Sequence, residues 1–148
     1  MRAPANLSAA EIIRLLDLKL HPEGGHFRET IRDAHPAPGT RARSTAIYFL
    51  LTAGERSHGH RVDATEVWHH YAGAPLMLEI AASAKGPIER ITLGSDFAAG
   101  ERPQAAVPAH AWQAAQSLGA WTLVGCTVAP GFDFAGFDLA PKDWSPSR

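Results

Sequence analysis

Along most of its length the chain alternates apolar and polar positions in short runs, and only its beginning carries a helical period. Ser8-Ala9-Ala10-Glu11 has the spacing of a capping box. In that arrangement the serine hydroxyl and the glutamate carboxylate each satisfy a backbone N–H that the first helical turn leaves free. Leu7 and Ile12 occupy the places of a hydrophobic staple, and Ile12, Ile13, Leu15, Leu16 and Leu20 follow at helical spacing. The pattern predicts a helix over residues 8–18, stopped by the proline and two glycines of His21–Gly25 and lying as a lid over one end of the core.

Beyond Gly25 a period of two takes over. It predicts strands at His26–Arg32, Arg43–Thr52, Glu66–Ala72, Leu76–Ala82, Ile88–Leu93, Ala105–Val107, Trp112–Gln116 and Trp121–Val128. The segments between them, among them HPAPGT, AGAP and SAKGP, are rich in the residues that turns require. Residues 131–139, GFDFAGFDL, read as a final strand burying Phe132, Phe134 and Phe137, with a phase slip at Ala135-Gly136 of the kind a bulge makes. Many short strands and a single helix argue for a β-sandwich or barrel. The 148 residues suit one domain: helix 8–18, barrel about 25–139, tail 140–148.

Composition narrows the partners. The net charge is −1, charged residues make up 20% of the chain, and no basic stripe or charge block stands out. Nucleic acid and anionic membrane are therefore not expected as partners. No apolar run approaches the roughly 18 residues of a membrane span, and no hydrophobic stretch precedes Glu11, so no secretory signal is expected. Cys126 stands alone and reads as a small apolar side chain within WTLVGCTVA. A reducing, cytoplasmic location fits.

The chemistry concentrates in Gly54–Gly73, which holds four of the eight histidines. His58 and His60 share a face of an extended strand, and Glu66 follows a short turn-like segment that would fold it back beside them. Two imidazoles and a carboxylate converging from adjacent strands suit either a divalent metal or acid–base chemistry. If Glu66 points inward, alternation sends Trp68 and His70 inward too and His69 outward. Gln113, re-entering the sheet after Val107–His110, would bring an amide to the site, a weak metal ligand but a good hydrogen-bond partner. Arg28 in HFRET would clamp a carboxylate or phosphate if its face looks inward, and otherwise form a rim salt bridge. Tyr48 would serve as a proton donor or cap the core, and Trp68 and Trp112 would wall a small-molecule pocket.

Gly54, His58-Gly59-His60, Glu66 and Gly73 resemble the first cupin motif, and Gly100 through Pro108 to Gln113 resembles the second. More narrowly, HPEGGHFRET, STAIYFLL, EVWHHYAG, VPAHAWQ and GCTVAPGFDF together look like the Cupin_5-like family, a cupin subgroup of largely undefined biochemical role. The likeness runs from about Leu15 to Leu139. It implies a mainly β double-stranded β-helix, the cupin jelly roll, commonly a homodimer with a pocket inside the barrel. The chain departs from the general pattern where Gln113 replaces the second motif's metal-binding histidine and His110 replaces a turn glycine.

Three functions follow as alternatives. A metal-dependent enzyme would hold Zn, Mn, Fe or Ni on His58, His60 and Glu66, with Gln113 as a fourth ligand. A metal-free isomerase, similar to sugar-nucleotide epimerases of the same fold, would use His60 as base, Tyr48 as acid and Arg28 as anion clamp. A non-catalytic protein would bind a small polar molecule in the barrel.

Overall fold

The computed structural model describes residues 6–141 and 144–146; residues 1–5, and 142–143 and 147–148 of the expected tail, lie outside the described residues. One helix, α1 (Ala9–Leu16), precedes the strands β1 (Lys19–Leu20), β2 (His26–Asp33), β3 (Ser44–Thr52), β4 (Arg56–Val62), β5 (Thr65–Gly73), β6 (Leu76–Ala81), β7 (Glu89–Leu93), β8 (Gln104–Val107), β9 (Trp112–Ser117), β10 (Trp121–Ala129) and β11 (Phe137–Leu139). They pair antiparallel in a six-stranded sheet, order β1-β2-β3-β10-β5-β8, and a five-stranded sheet, order β11-β4-β9-β6-β7.

The two sheets face each other across one apolar core. Phe49, Leu51, Trp68 and Val124 from the first meet Leu76, Leu78, Leu93 and Ala115 from the second, all essentially excluded from solvent. Alternation explains the choice: Ile47, Phe49 and Leu51 point into the barrel, while Tyr48 and Leu50 point outward. That outer face is also apolar, and α1 covers it. Ile12 and Leu18 pack on Leu50 and Trp121, and the Trp121 indole N–H donates to the Leu7 carbonyl at 3.0 Å. The capping box forms as the sequence predicts, with both Ser8–Glu11 bonds at 3.1 Å. The helix is therefore a cover on the back of a sheet rather than a lid over one end of the core. It ends two residues earlier than expected, where Asp17 adopts a left-handed cap, and Leu20 is left exposed.

The segment after β10 is not a continuous strand. Its phase slip is a single 3-10 turn at Phe134–Gly136, and only Phe137–Leu139 pairs with β4. Phe132 and Phe137 pack against Val62, Ala64 and Val128, whereas Phe134 is exposed rather than buried. The Arg41 guanidinium fixes this strap, bonding both Asp63 oxygens at 2.9 and 2.7 Å and the Gly131 carbonyl. No helix among the described residues is long and apolar enough to cross a membrane.

Candidate acid–base site

β4 does not run as an unbroken strand. Ser57 pairs with Ala115 but His60 pairs with Gln113, so three steps on β4 match two on β9. This bulge lets Ser57 and His60 both face the interior in spite of their odd spacing. It also turns His58 out of the site: its ring lies against Gly24, and its buried Nδ1 has no hydrogen-bond partner. The expected convergence of His58 with His60 and Glu66 does not occur.

Glu23 takes the place beside His60. It sits in the His21–Gly25 loop that the sequence reads only as a helix stop. Gly24 has φ +101°, and a side chain there would strike the Arg56 carbonyl, so glycine allows the loop to lean directly on β4. The His58 N–H then donates to the Glu23 carbonyl at 2.7 Å. The Glu23 carboxyl is thereby carried inside, where Oε1 accepts from Ser57 Oγ at 3.0 Å and Oε2 lies 3.0 Å from His60 Nε2. The local signal for Glu23 was a charged residue between a proline and two glycines in one of the family-like segments.

Hydrogen-bond roles fix the proton inventory. His60 Nδ1 donates to the His58 carbonyl at 2.8 Å, since a carbonyl only accepts. The neutral imidazole therefore carries its proton on Nδ1, and the contact between Nε2 and Glu23 holds one further proton. Burial pushes Glu23 up to about 8, against the opposing Ser57 bond. It pushes His60 down, with Glu66 and the His58 carbonyl opposing. Both shifts place the shared proton on the carboxyl side in the resting pair.

Glu66 enters from β5. Its Oε1 accepts from Gln113 Nε2 at 2.9 Å, while Gln113 Oε1 accepts from the Trp68 indole N–H at 2.7 Å. This relay orients the carboxyl and accounts for both ends of the buried amide. Burial pushes Glu66 up to about 7, with the Glu23 carboxyl adding to it and His60, Gln113 and the Cys126 thiol holding it back. Burial likewise pushes the Cys126 thiol well up, so it stays protonated beside Glu66. His21 accepts from the Glu23 backbone N–H through Nδ1 at 3.1 Å. Burial and the nearby His60 push it down to about 4.

The cavity between these groups measures about 20 Å³ and is lined also by Thr45, Ile47, Val62, Val128 and, from the strap, Phe132. That is room for about one water. The other residues singled out in the sequence lie elsewhere. Arg28 is exposed on the outside and donates to the Leu16 carbonyl at 3.4 Å. Tyr48 faces α1 and meets Tyr71 edge-on at 6.5 Å. His70 Nε2 meets the Ala74 carbonyl at 3.1 Å, away from the cavity. Trp112 packs on Trp144 at 4.6 Å beneath Arg61, in a groove of about 320 Å³ on the back of the five-stranded sheet.

The family model described as Cupin superfamily (DUF985), Cupin_5, matches residues 10–140. The chain belongs to the cupin superfamily. A crystallographically solved Shewanella oneidensis protein is 39% identical, with a TM-score of 0.85 over 90% of this chain and 85% of its own. A hypothetical protein from Leishmania major is 32% identical, with a TM-score of 0.81 over 90% of this chain and 88% of its own. Bacillus subtilis oxalate decarboxylase shares the cupin fold at 16% identity and TM-score 0.63, the match covering 84% of this chain and 30% of that enzyme. No curated protein matches the chain.

The metal that a cupin barrel implies can be tested against these side chains. Gln113 has its amide oxygen taken by Trp68 and its nitrogen by Glu66, and His58 is turned out of the cavity, which leaves His60 and Glu66 of the expected donor set. Among the described residues no group of three His, Cys, Asp or Glu side chains is placed to hold a metal ion. The donor set does not fit a divalent metal, and the site is read on its protons alone.

Proposed function

We propose that this cupin is a metal-free proton-transfer enzyme of the isomerase type, acting on a small polar molecule that enters when the Phe132 segment moves off the one-water cavity. The observation that carries the reading is the 3.0 Å contact between Glu23 Oε2 and His60 Nε2, in a cavity shared with a second carboxyl, Glu66. Acid–base groups work best when their affinity for a proton lies near the working pH, and burial brings Glu66 and Glu23 to about 7 and about 8.

The division of labour follows from those values. Ionised Glu66 takes the proton from a carbon next to a carbonyl, and the electron pair of that C–H bond moves to form the C=C bond of an enol. The Glu23–His60 pair delivers its proton to the carbonyl oxygen, so no enolate charge builds up in the closed cavity. Return of the Glu66 proton to the neighbouring carbon, with the adjacent hydroxyl proton passing back to the pair, completes an isomerisation. The test is wash-in of deuterium from D₂O into small α-hydroxy carbonyl compounds, followed by ¹H NMR. Wild type is expected to exchange them about 10²–10⁴-fold faster than Glu66→Gln; equal rates would overturn the proposal.

A further inference from the structure

No polar group lining the cavity carries a permanent positive charge. Two carboxyls, Glu23 and Glu66, two imidazoles, His21 and His60, the Thr45 hydroxyl and the Cys126 thiol face it, and every other lining group is apolar. Neither arginine nor lysine is among them. The arginines of the neighbouring segments are committed elsewhere. Arg28 donates to the Leu16 carbonyl outside the barrel, and Arg41 grips Asp63 and the strap. Arg56 bonds Glu79 at 3.1 Å on the back of its sheet, and Arg61 bonds Asp138 at 2.8 Å. The imidazoles do not supply the missing cation. His21 has Nδ1 occupied as an acceptor and so carries its proton on Nε2 as a neutral donor, and burial drives His60 toward its neutral form.

An anion entering this space would lose its hydration and meet two acid groups with no counter-charge, and it would itself drive both carboxyls further from ionising. A cation would pair with Glu66 and hold it as a carboxylate too weak to take a proton from carbon. An uncharged molecule suffers neither penalty. The His21 Nε2–H is a donor for a carbonyl or hydroxyl oxygen. Thr45 Oγ1 accepts from the Phe132 N–H at 2.9 Å, leaving the hydroxyl proton as a second donor. The carboxyls accept hydroxyl protons, and the Phe132 ring covers C–H surface.

We infer that the barrel, opened by outward movement of the Phe132 segment that now leaves room for one water, takes an uncharged α-hydroxy carbonyl compound and rejects phosphorylated and carboxylated analogues. This rests on the proton-transfer reading above and names its substrate class. It corrects the expectation that Arg28 clamps a phosphate.

The experiment uses the full-length wild-type protein with ¹⁵N-labelled histidine, its His60 ring signals assigned by comparison with His60→Gln. Dihydroxyacetone, dihydroxyacetone phosphate, glycolate and ethanolamine are titrated in turn, and exchange of the dihydroxyacetone C–H protons into D₂O is followed in the same tubes. The expected result is a saturable shift of the His60 ring by dihydroxyacetone, with each charged compound at least about tenfold weaker. Equal or tighter binding by the phosphate ester, glycolate or ethanolamine overturns the inferred class and leaves the acid–base reading standing. A His60 shift by dihydroxyacetone with no exchange beyond that of Glu66→Gln upholds the binding class and sinks the proton-transfer reading. If no compound moves the His60 ring, both fall.

Discussion

His60 Nε2 and Glu23 Oε2 lie 3.0 Å apart, one on a bulged strand and the other on a loop that only glycine could press against that strand. Among the described residues neither has another charged partner at hydrogen-bond distance. The pair makes two claims on the Glu23 side chain, its shape and its proton, and these separate experimentally. Glu23→Gln keeps an oxygen for Ser57 and an N–H for His60, so it should leave stability within about 1 kcal/mol while abolishing deuterium exchange. Glu23→Ala should cost about 1–3 kcal/mol in urea unfolding, because Ser57 Oγ and His60 Nε2 are left buried without partners.

The pH dependence of stability follows from four groups pulling in opposite directions. Glu23 and Glu66 are raised from 4.5 to about 8 and about 7, so the stability they contribute is present below pH 4.5 and is lost as pH rises through those values. His21 is lowered from 6.5 to about 4, and His60 is lowered as well. Their contribution is present above pH 6.5 and is lost as pH falls. Between pH 4.5 and 6.5 the unfolded chain gains protons on histidines while the folded chain holds them on the two carboxyls, so the slopes oppose each other. Urea midpoints should therefore vary least across that window and fall on both sides of it. Glu23→Gln should flatten the upper part of the alkaline limb; a limb unchanged by the substitution would show that Glu23 does not titrate there.

The absence of a matching donor set predicts indifference to metal. Protein purified without added metal should carry it well below stoichiometric amounts by elemental analysis. A chelator should leave both the melting temperature and deuterium exchange unchanged. His58→Ala should do the same, because the bulge turns that ring away from the cavity. Stoichiometric metal lost in His60→Ala would restore the metal-centred alternative.

Much of this arrangement was legible in the sequence, and what was not has identifiable causes. Strand alternation located β2, β3, β5, β6, β7, β8, β9 and β10 to within a residue or two, and it sent Glu66, Trp68, His60 and Gln113 into the barrel. It misplaced His58 because alternation assumes an unbroken strand, and the bulge between Ser57 and His60 is marked only by Gly59, which reads as part of the strand. Tyr48 and Arg28 were misassigned for a different reason. The six-stranded sheet is apolar on both faces, one for the core and one for α1, so hydrophobicity does not say which face is inside. Trp112 misled similarly, since Trp144 from the tail covers it on the back of its sheet. Glu23 was hidden by its company: proline and paired glycines signal a turn, and a turn is ordinarily solvent-exposed.

The relay through Gln113 gives the last prediction, because it links a core residue to the site. Trp68 Nε1 donates to Gln113 Oε1 at 2.7 Å, and Gln113 Nε2 donates to Glu66 Oε1 at 2.9 Å, with all three side chains buried. Gln113→Leu fills similar space but leaves the indole N–H and one carboxyl oxygen unpaired, at about 1–3 kcal/mol for each orphaned group. Trp68→Phe removes the indole donor, so the second substitution should cost less in the Gln113→Leu background than in wild type. A coupling of about 0.5–3 kcal/mol in the double-mutant cycle is expected. The functional consequence runs the other way: losing the amide donor removes a bond that favours the ionised form of Glu66. In Gln113→Leu the base limb of the deuterium-exchange pH profile should therefore move to higher pH. Additive energies in the cycle, together with an unmoved profile, would mean that the relay fills the core without governing the carboxyl.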